Sequence, residues 1–332
     1  YAFKVLSQGK RCIVELTGQP DTITGLQYTR TISLSADSPQ ISFHAVMKNA
    51  TAHSIEWSVQ SVSQYDLGNP KNPADYNHHL WAYTPINPAS SYPDGYDVRD
   101  GLAGDPSFSV AEGLFRLHWM YFENEVWVDS SAGWLAVVDQ QSQYGMIERF
   151  PFRPGENYPG KATVIFYKNG PTVSFDKDGV ASIRATTPES TPYYMEAEVN
   201  SPIVKLQPNQ TYAMDTTWNP VKIGAAVQSI TDAGVVTQKL SATRHADNVT
   251  LTGTFSVFTS GSLTAVSMNR GGVEVSRRVL RQVRPEEAVV LNDTLSVTPN
   301  IAQIVLKLFD VRGADYGILD KVRIETPGSI SK

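Results

Sequence analysis

From Cys12 to Gln64 the side chains alternate between apolar and polar with a period of two, as in strands with one face on a core and the other on water. The runs CIVELTG, LQYTRTISLSA, PQISFHAVMKN and HSIEWSVQSVSQ carry the pattern, broken by Gly18, the Ala36 to Pro39 turn and the Asn49 to His53 turn. In the third run Ile41, Phe43, Ala45 and Met47 share a face, while Ser42, His44 and Lys48 take the other. From Tyr65 to Pro106 the alternation collapses into text rich in Pro, Asn, Asp and Gly, whose tyrosines and Trp81 argue for order. That composition predicts an ordered loop covering one end of a sheet. Strands resume at FSVAEGLFRLHWMYF, NEVWVDS, GWLAVVDQQ, YGMIERF, ATVIFYKNG, YYMEAEVNSP and TYAMDTTWNP.

Composition adds a boundary near Pro220. All six Trp, 14 of the 15 Tyr and five of the six His precede it, and the charge balance reverses there. Before it stand 15 basic and 23 acidic residues, net -8; after it stand 13 and 10, net +3. Two domains are therefore expected, 1–220 and 221–332, the second an immunoglobulin-like sandwich of short strands without the usual cysteine pair. The overall charge of -5 gives no general reason to bind nucleic acid or an anionic membrane. No 18-residue apolar run is present, so no membrane-spanning helix is expected. Cys12 stands alone, which rules out an intramolecular disulfide. The opening YAFKVLSQGK lacks the features of a signal peptide, so any such leader has been removed.

The strand order from Gly18 to Pro220 resembles the galactose-mutarotase-like supersandwich, two large antiparallel sheets. The segments GWLAVVDQQ, RFPF, NYPG, EAEVNSP and LQPNQTYAMDTTW are similar to a bacterial family of such domains, the most specific being E-x-E-x-x-S-P followed by L-x-P and Trp218. The resemblance implies an all-β fold, a sugar ligand, a secreted or periplasmic setting, and further residues ahead of Tyr1. In aldose epimerases of this superfamily a His and a Tyr face the sugar at a place that here reads Ser63, Gln64, Tyr65, Asp66. Gln64 cannot do a histidine's proton transfer, so epimerase chemistry is the least supported activity.

The candidate chemistry lies in two regions. Glu196 and Glu198 leave the same face of one strand with Cβ atoms roughly 7 Å apart. They suit a catalytic carboxylate pair, sugar-hydroxyl or cation binding, or an ordinary charged sheet face. No cofactor is required; the ion they would suit is calcium, with Asp75 or Asp94 as a further ligand. In the long loop Tyr76, His78, His79 and Trp81 offer rings to stack on a pyranose and an imidazole to move a proton, or simply pin the loop. His78 and His79 are too close in sequence to share one zinc easily, so no metal site is expected.

Arg149 and Arg153 with Tyr158 and Tyr167 are the residue types a polysaccharide lyase needs, to neutralise a uronate and to give and take protons. A bridge from Arg149 to Glu148 or Glu196 is the structural alternative. The expected catalytic set is thus His79, Arg149 and Tyr158, with Tyr76, His78, Trp81, Arg153, Tyr167, Glu196 and Glu198 binding substrate. The expected function is binding of a poly- or oligosaccharide, with cleavage as lyase or glycosidase. The rival is a non-catalytic carbohydrate-binding or scaffold protein.

Overall fold

The computed structural model describes residues 1–69, 71–102, 104–175, 177–178, 180–184, 192–223 and 225–324. Its regular elements are antiparallel strands and one short 3-10 turn, Pro159–Lys161. No helix among the described residues is long and apolar enough to cross a membrane. The chain forms two compact units. One comprises Tyr1–Leu34, Ile41–Gln141 and Ile147–Trp218; the other comprises Ser35–Gln40, Ser142–Met146 and Asn219–Lys332.

The first unit is a sandwich of two antiparallel sheets, as the resemblance implies. The larger has ten strands in the order Ala2–Ser7, Arg11–Thr17, Leu26–Ser35, Ser38–Asn49, Thr211–Lys222, Tyr144–Arg149, Trp134–Asp139, Leu80–Pro85, Leu114–His118, Phe108–Ala111. The smaller has five: Tyr96–Gly101, Asn124–Val128, Val164–Lys168, Tyr194–Asn200, Gln60–Asp66. Leu26, Met47, Leu117, Leu135 and Val137 from the first meet Val126, Phe166, Ala197 and Val199 from the second in one buried cluster. Removing this apolar surface from water is the main stabilising term.

The expectation that Tyr65 to Pro106 is a loop is corrected here. Leu80–Pro85 lies inside the ten-stranded sheet, paired on one side with Trp134–Asp139 and on the other with Leu114–His118. Pairing along both edges holds this six-residue run despite the turn-forming residues around it. Tyr96–Gly101 likewise pairs with Asn124–Val128 in the smaller sheet. Asp105 and Ser107, ahead of Phe108, are fixed by a buried ion pair. Lys168 Nζ lies 2.5 Å from Asp105 Oδ2 and 2.8 Å from Ser107 Oγ, and Asn124 Nδ2 donates to the same carboxylate at 2.6 Å. Burial pulls Lys168 down to about 8 against the attraction of Asp105.

The second unit is a sandwich of two four-stranded antiparallel sheets. One runs Ser229–Ile230, Gly234–His245, Asn248–Val257, Val289–Ser296; the other runs Glu274–Val283, Gly261–Asn269, Ile301–Asp310, Asp315–Arg323. Leu251, Phe255, Leu263, Ile304 and Leu308 are among the residues filling the space between them. Glu274–Val283 and Val289–Ser296 are outermost strands of opposite sheets. Two arginines link them: Arg278 donates to the Thr294 carbonyl at 3.1 Å and Arg281 to the Val290 carbonyl at 3.0 Å. Arg281 also pairs with Asp293.

Candidate functional site

The residues of the five-stranded sheet divide cleanly by parity. Ser63, Ala197, Phe166 and Val126 are in register and turn inward, Ala197, Phe166 and Val126 into the apolar cluster. Their neighbours must therefore turn outward. One outward row is Gln64, Glu196, Tyr167, Glu125; the next is Val62, Glu198, Ile165, Trp127, Asp97. Register thus gathers three glutamates, a tryptophan and a tyrosine on one face.

Polar side chains on that face hold one another. Gln64 Nε2 donates to Glu196 Oε1 at 2.6 Å, Gln60 Nε2 donates to Glu198, and the Trp127 indole donates to Glu125. Tyr167 donates to Glu123 Oε1 at 3.2 Å, and burial raises its pKa further than that neighbouring charge does. Glu198 is only 8% exposed, and burial, reinforced by the charges of Glu196 and Glu125, pushes it up to about 7. The Arg99 guanidinium lies 4.8 Å from the Trp127 ring centre and pairs with Asp97 at 3.0 Å. Trp127 is also crossed by the Pro159–Lys161 turn at Gly160, which has φ 52° and no room for a side chain: an added Cβ would sit 2.2 Å from the ring.

The other sequence-predicted residues are elsewhere. Glu148 points into the core, where the Tyr65 hydroxyl donates to Oε1 at 2.9 Å and Ser63 Oγ bonds the same oxygen. Its neighbour Arg149 must leave the opposite face of the ten-stranded sheet. Arg149 and Glu196 thus point from opposite sides of a sandwich whose sheets pack about 10 Å apart, and they do not share a cleft. Tyr158 is buried; its hydroxyl accepts the Arg153 backbone N–H at 2.9 Å, and its ring stacks on Phe152. Arg153 extends over the Tyr212 ring at 5.6 Å. His79 is exposed in the turn before Leu80–Pro85.

Trp81 lies on the ten-stranded sheet, and Tyr76 and His78, whose rings are 4.0 Å apart, lie on the chain leading into it. Trp81 is in register with His118 and the two rings stack at 4.4 Å. His118 Nε2 bonds the His78 carbonyl at 2.8 Å, and His78 Nε2 bonds Asp75 at 2.9 Å. Tyr76 packs on Trp119 and Tyr193 at the core margin. Asp75 is held there by His78 and by the Tyr76 backbone N–H. Among the described residues no three His, Cys, Asp or Glu side chains stand close enough to hold a metal ion.

Sequence reasoning found Tyr167, Glu196 and Glu198 but missed Glu125, Trp127, Gln60 and Arg99. The parity of Glu125 and Trp127 in NEVWV was readable; their place beside Glu196 and Glu198 was not.

No family model and no curated protein matches this chain. Solved structures do. A TPR-domain containing protein from Parabacteroides distasonis is 14% identical over 69% of this chain, with a TM-score of 0.43. The match spans 36% of that protein's length, so this chain corresponds to about a third of it. A galactose mutarotase-like protein from Lactobacillus casei is 11% identical over 66% of this chain and 73% of its own, TM-score 0.39. Another from Clostridium acetobutylicum is 8% identical over 66% and 65%, TM-score 0.39.

Proposed function

We propose that this chain binds a poly- or oligosaccharide on the outward face of its five-stranded sheet. The observation that carries the reading is the in-register meeting of Trp127 and Tyr167 with Glu196 and Glu198, whose carboxylates are each held by a glutamine side chain from the edge strand. Sugars present C–H faces that stack on aromatic rings and hydroxyls that bond carboxylates and amides, and this face offers both. A secreted or periplasmic setting, and an immunoglobulin-like role for residues 221–332 beside a sugar-facing domain 1–220, belong to the same proposal.

A second reading is glycosidic cleavage, favoured by one observation. Glu198, pushed up to about 7, would hold a proton to give a leaving oxygen, while Glu196 stands two positions away on the same strand. Elimination by a lyase draws no such support, because the Tyr158 hydroxyl is engaged in a buried backbone bond.

The test is calorimetric titration of the protein with neutral and acidic oligosaccharides, followed by a reducing-end assay on whichever binds. Trp127→Ala should weaken binding about tenfold or more, the scale of one lost stacking contact. Unchanged affinity would remove this face from the site. New reducing ends lost in Glu198→Gln would establish cleavage.

A further inference from the structure

The two sheets of the first unit differ in width, ten strands against five, and the excess is uncovered at one end. There Phe3 is in register with Leu16, and Val5 with Val14, so Tyr1, Phe3, Val5, Val14 and Leu16 face the same way. Neighbouring Tyr28 packs against the core, which identifies this as the inner face of the large sheet. Yet Phe3 is 64% exposed and Val5 42%. The smaller sheet ends at its edge strand Gln60–Asp66, and just ahead of it Trp57, on the short strand Ile55–Trp57, is 46% exposed.

Between this overhang and that edge lies a groove of about 570 Å³, lined by Leu16, Tyr28, Arg30, Trp57, Ser58 and Gln60, with Tyr1 at its rim. Its volume falls in the range of small-ligand sites, about 300–1,000 Å³. Arg30 is the only charged side chain in the lining, and among the described residues it has no carboxylate partner. Two aromatic rings, an unpaired guanidinium, a hydroxyl and an amide make a site for a ring with an apolar face and a carboxylate. The Gln60 amide that lines the groove also donates to Glu198, so the groove borders the sheet-face site.

We infer that this groove binds the uronate unit of an acidic oligosaccharide, with the sugar ring on Trp57 and its carboxylate on Arg30. A planar guanidinium meets a carboxylate through two parallel hydrogen bonds, which a neutral sugar cannot replace. The ligand class rests on the carbohydrate reading above; the place and the preference for acid do not.

Trp fluorescence and calorimetry of the full chain, titrated with a galacturonate trisaccharide and with the neutral galactose trisaccharide, test this. The acidic sugar should bind about tenfold more tightly, the scale of one charge-assisted contact. Arg30→Gln should abolish that preference, and Trp57→Ala should weaken binding about tenfold. Both groove residues are exposed, and unchanged melting temperatures would confirm that their variants fold. If Trp127→Ala abolishes acidic binding and neither groove variant alters it, the groove inference falls and the sheet-face reading stands. Equal affinity for both sugars, unaffected by Arg30→Gln, overturns it as well. Binding of neither sugar would sink both readings.

Discussion

Glu148 and Glu198 are both pushed up to about 7, and both chiefly by burial, but in settings that mean different things. Glu148 sits between the sheets, bonded by Ser63 and Tyr65 across the core. Ser63 has one hydroxyl hydrogen and three acceptors in reach, Glu148 Oε1, the Ala197 carbonyl at 2.9 Å and the Tyr65 oxygen at 3.4 Å. A protonated Glu148 resolves that conflict, because it can donate to Ser63 while Ser63 donates to Ala197. Glu198 instead stands outside the core among other carboxylates, tied to Gln60. A shifted carboxyl therefore marks a functional site only where a ligand can reach it. The first glutamate fastens the sheets; the second lies on the face proposed to bind sugar.

The strongest way to break this comparison is Glu148→Ala. It leaves a cavity and the Tyr65 hydroxyl without its acceptor, and should cost about 3–5 kcal/mol in urea unfolding. Saccharide affinity of the folded fraction should not change. A loss of affinity with intact stability would reverse the assigned roles.

The pH dependence comes next. Glu148 titrates near 7 when folded and near 4.5 when unfolded, so between those values the folded state holds the extra proton. Its stabilising contribution is complete below about 4.5 and is lost as pH rises through about 7. Denaturation midpoints should therefore fall between pH 5 and 8, by up to about 3 kcal/mol from this group. Glu148→Gln should flatten that slope, and a slope that persists unaltered would show that Glu148 ionises normally. The smallest effect is expected of Glu198→Gln, within about 1 kcal/mol of wild-type stability because Gln60 can still bond the amide. Saccharide binding by that variant should lose its pH dependence near 7, as titration calorimetry would show.

Local pattern made most of the strands legible. The run Ile41, Phe43, Ala45, Met47 lies within the observed strand Ser38–Asn49, and Met47 and Ala45 do reach the core. Leu80–Pro85 is not legible, because what makes it a strand is pairing with residues 29 or more positions away in sequence. The site divides in the same way. That Glu196 and Glu198 share a face follows from spacing alone, whereas bringing Trp127 and Arg99 to them needs the register of four strands. Arg149 was grouped with Glu196 because both lie in polar strand text. Which of Glu148 and Arg149 turns inward is decided by Ser63 and Tyr65 on the opposing sheet.

The paired arginines of the second unit have a consequence for how copies of this chain behave when crowded together. An outermost strand normally offers an open row of carbonyls to any passing extended chain, which is how fibrils are seeded. On Val289–Ser296 two of those carbonyls are already capped by guanidinium groups that carry positive charge. An incoming strand would have to displace Arg278 and Arg281 before it could dock, and this side of the sandwich is thereby shielded from templating its own aggregation.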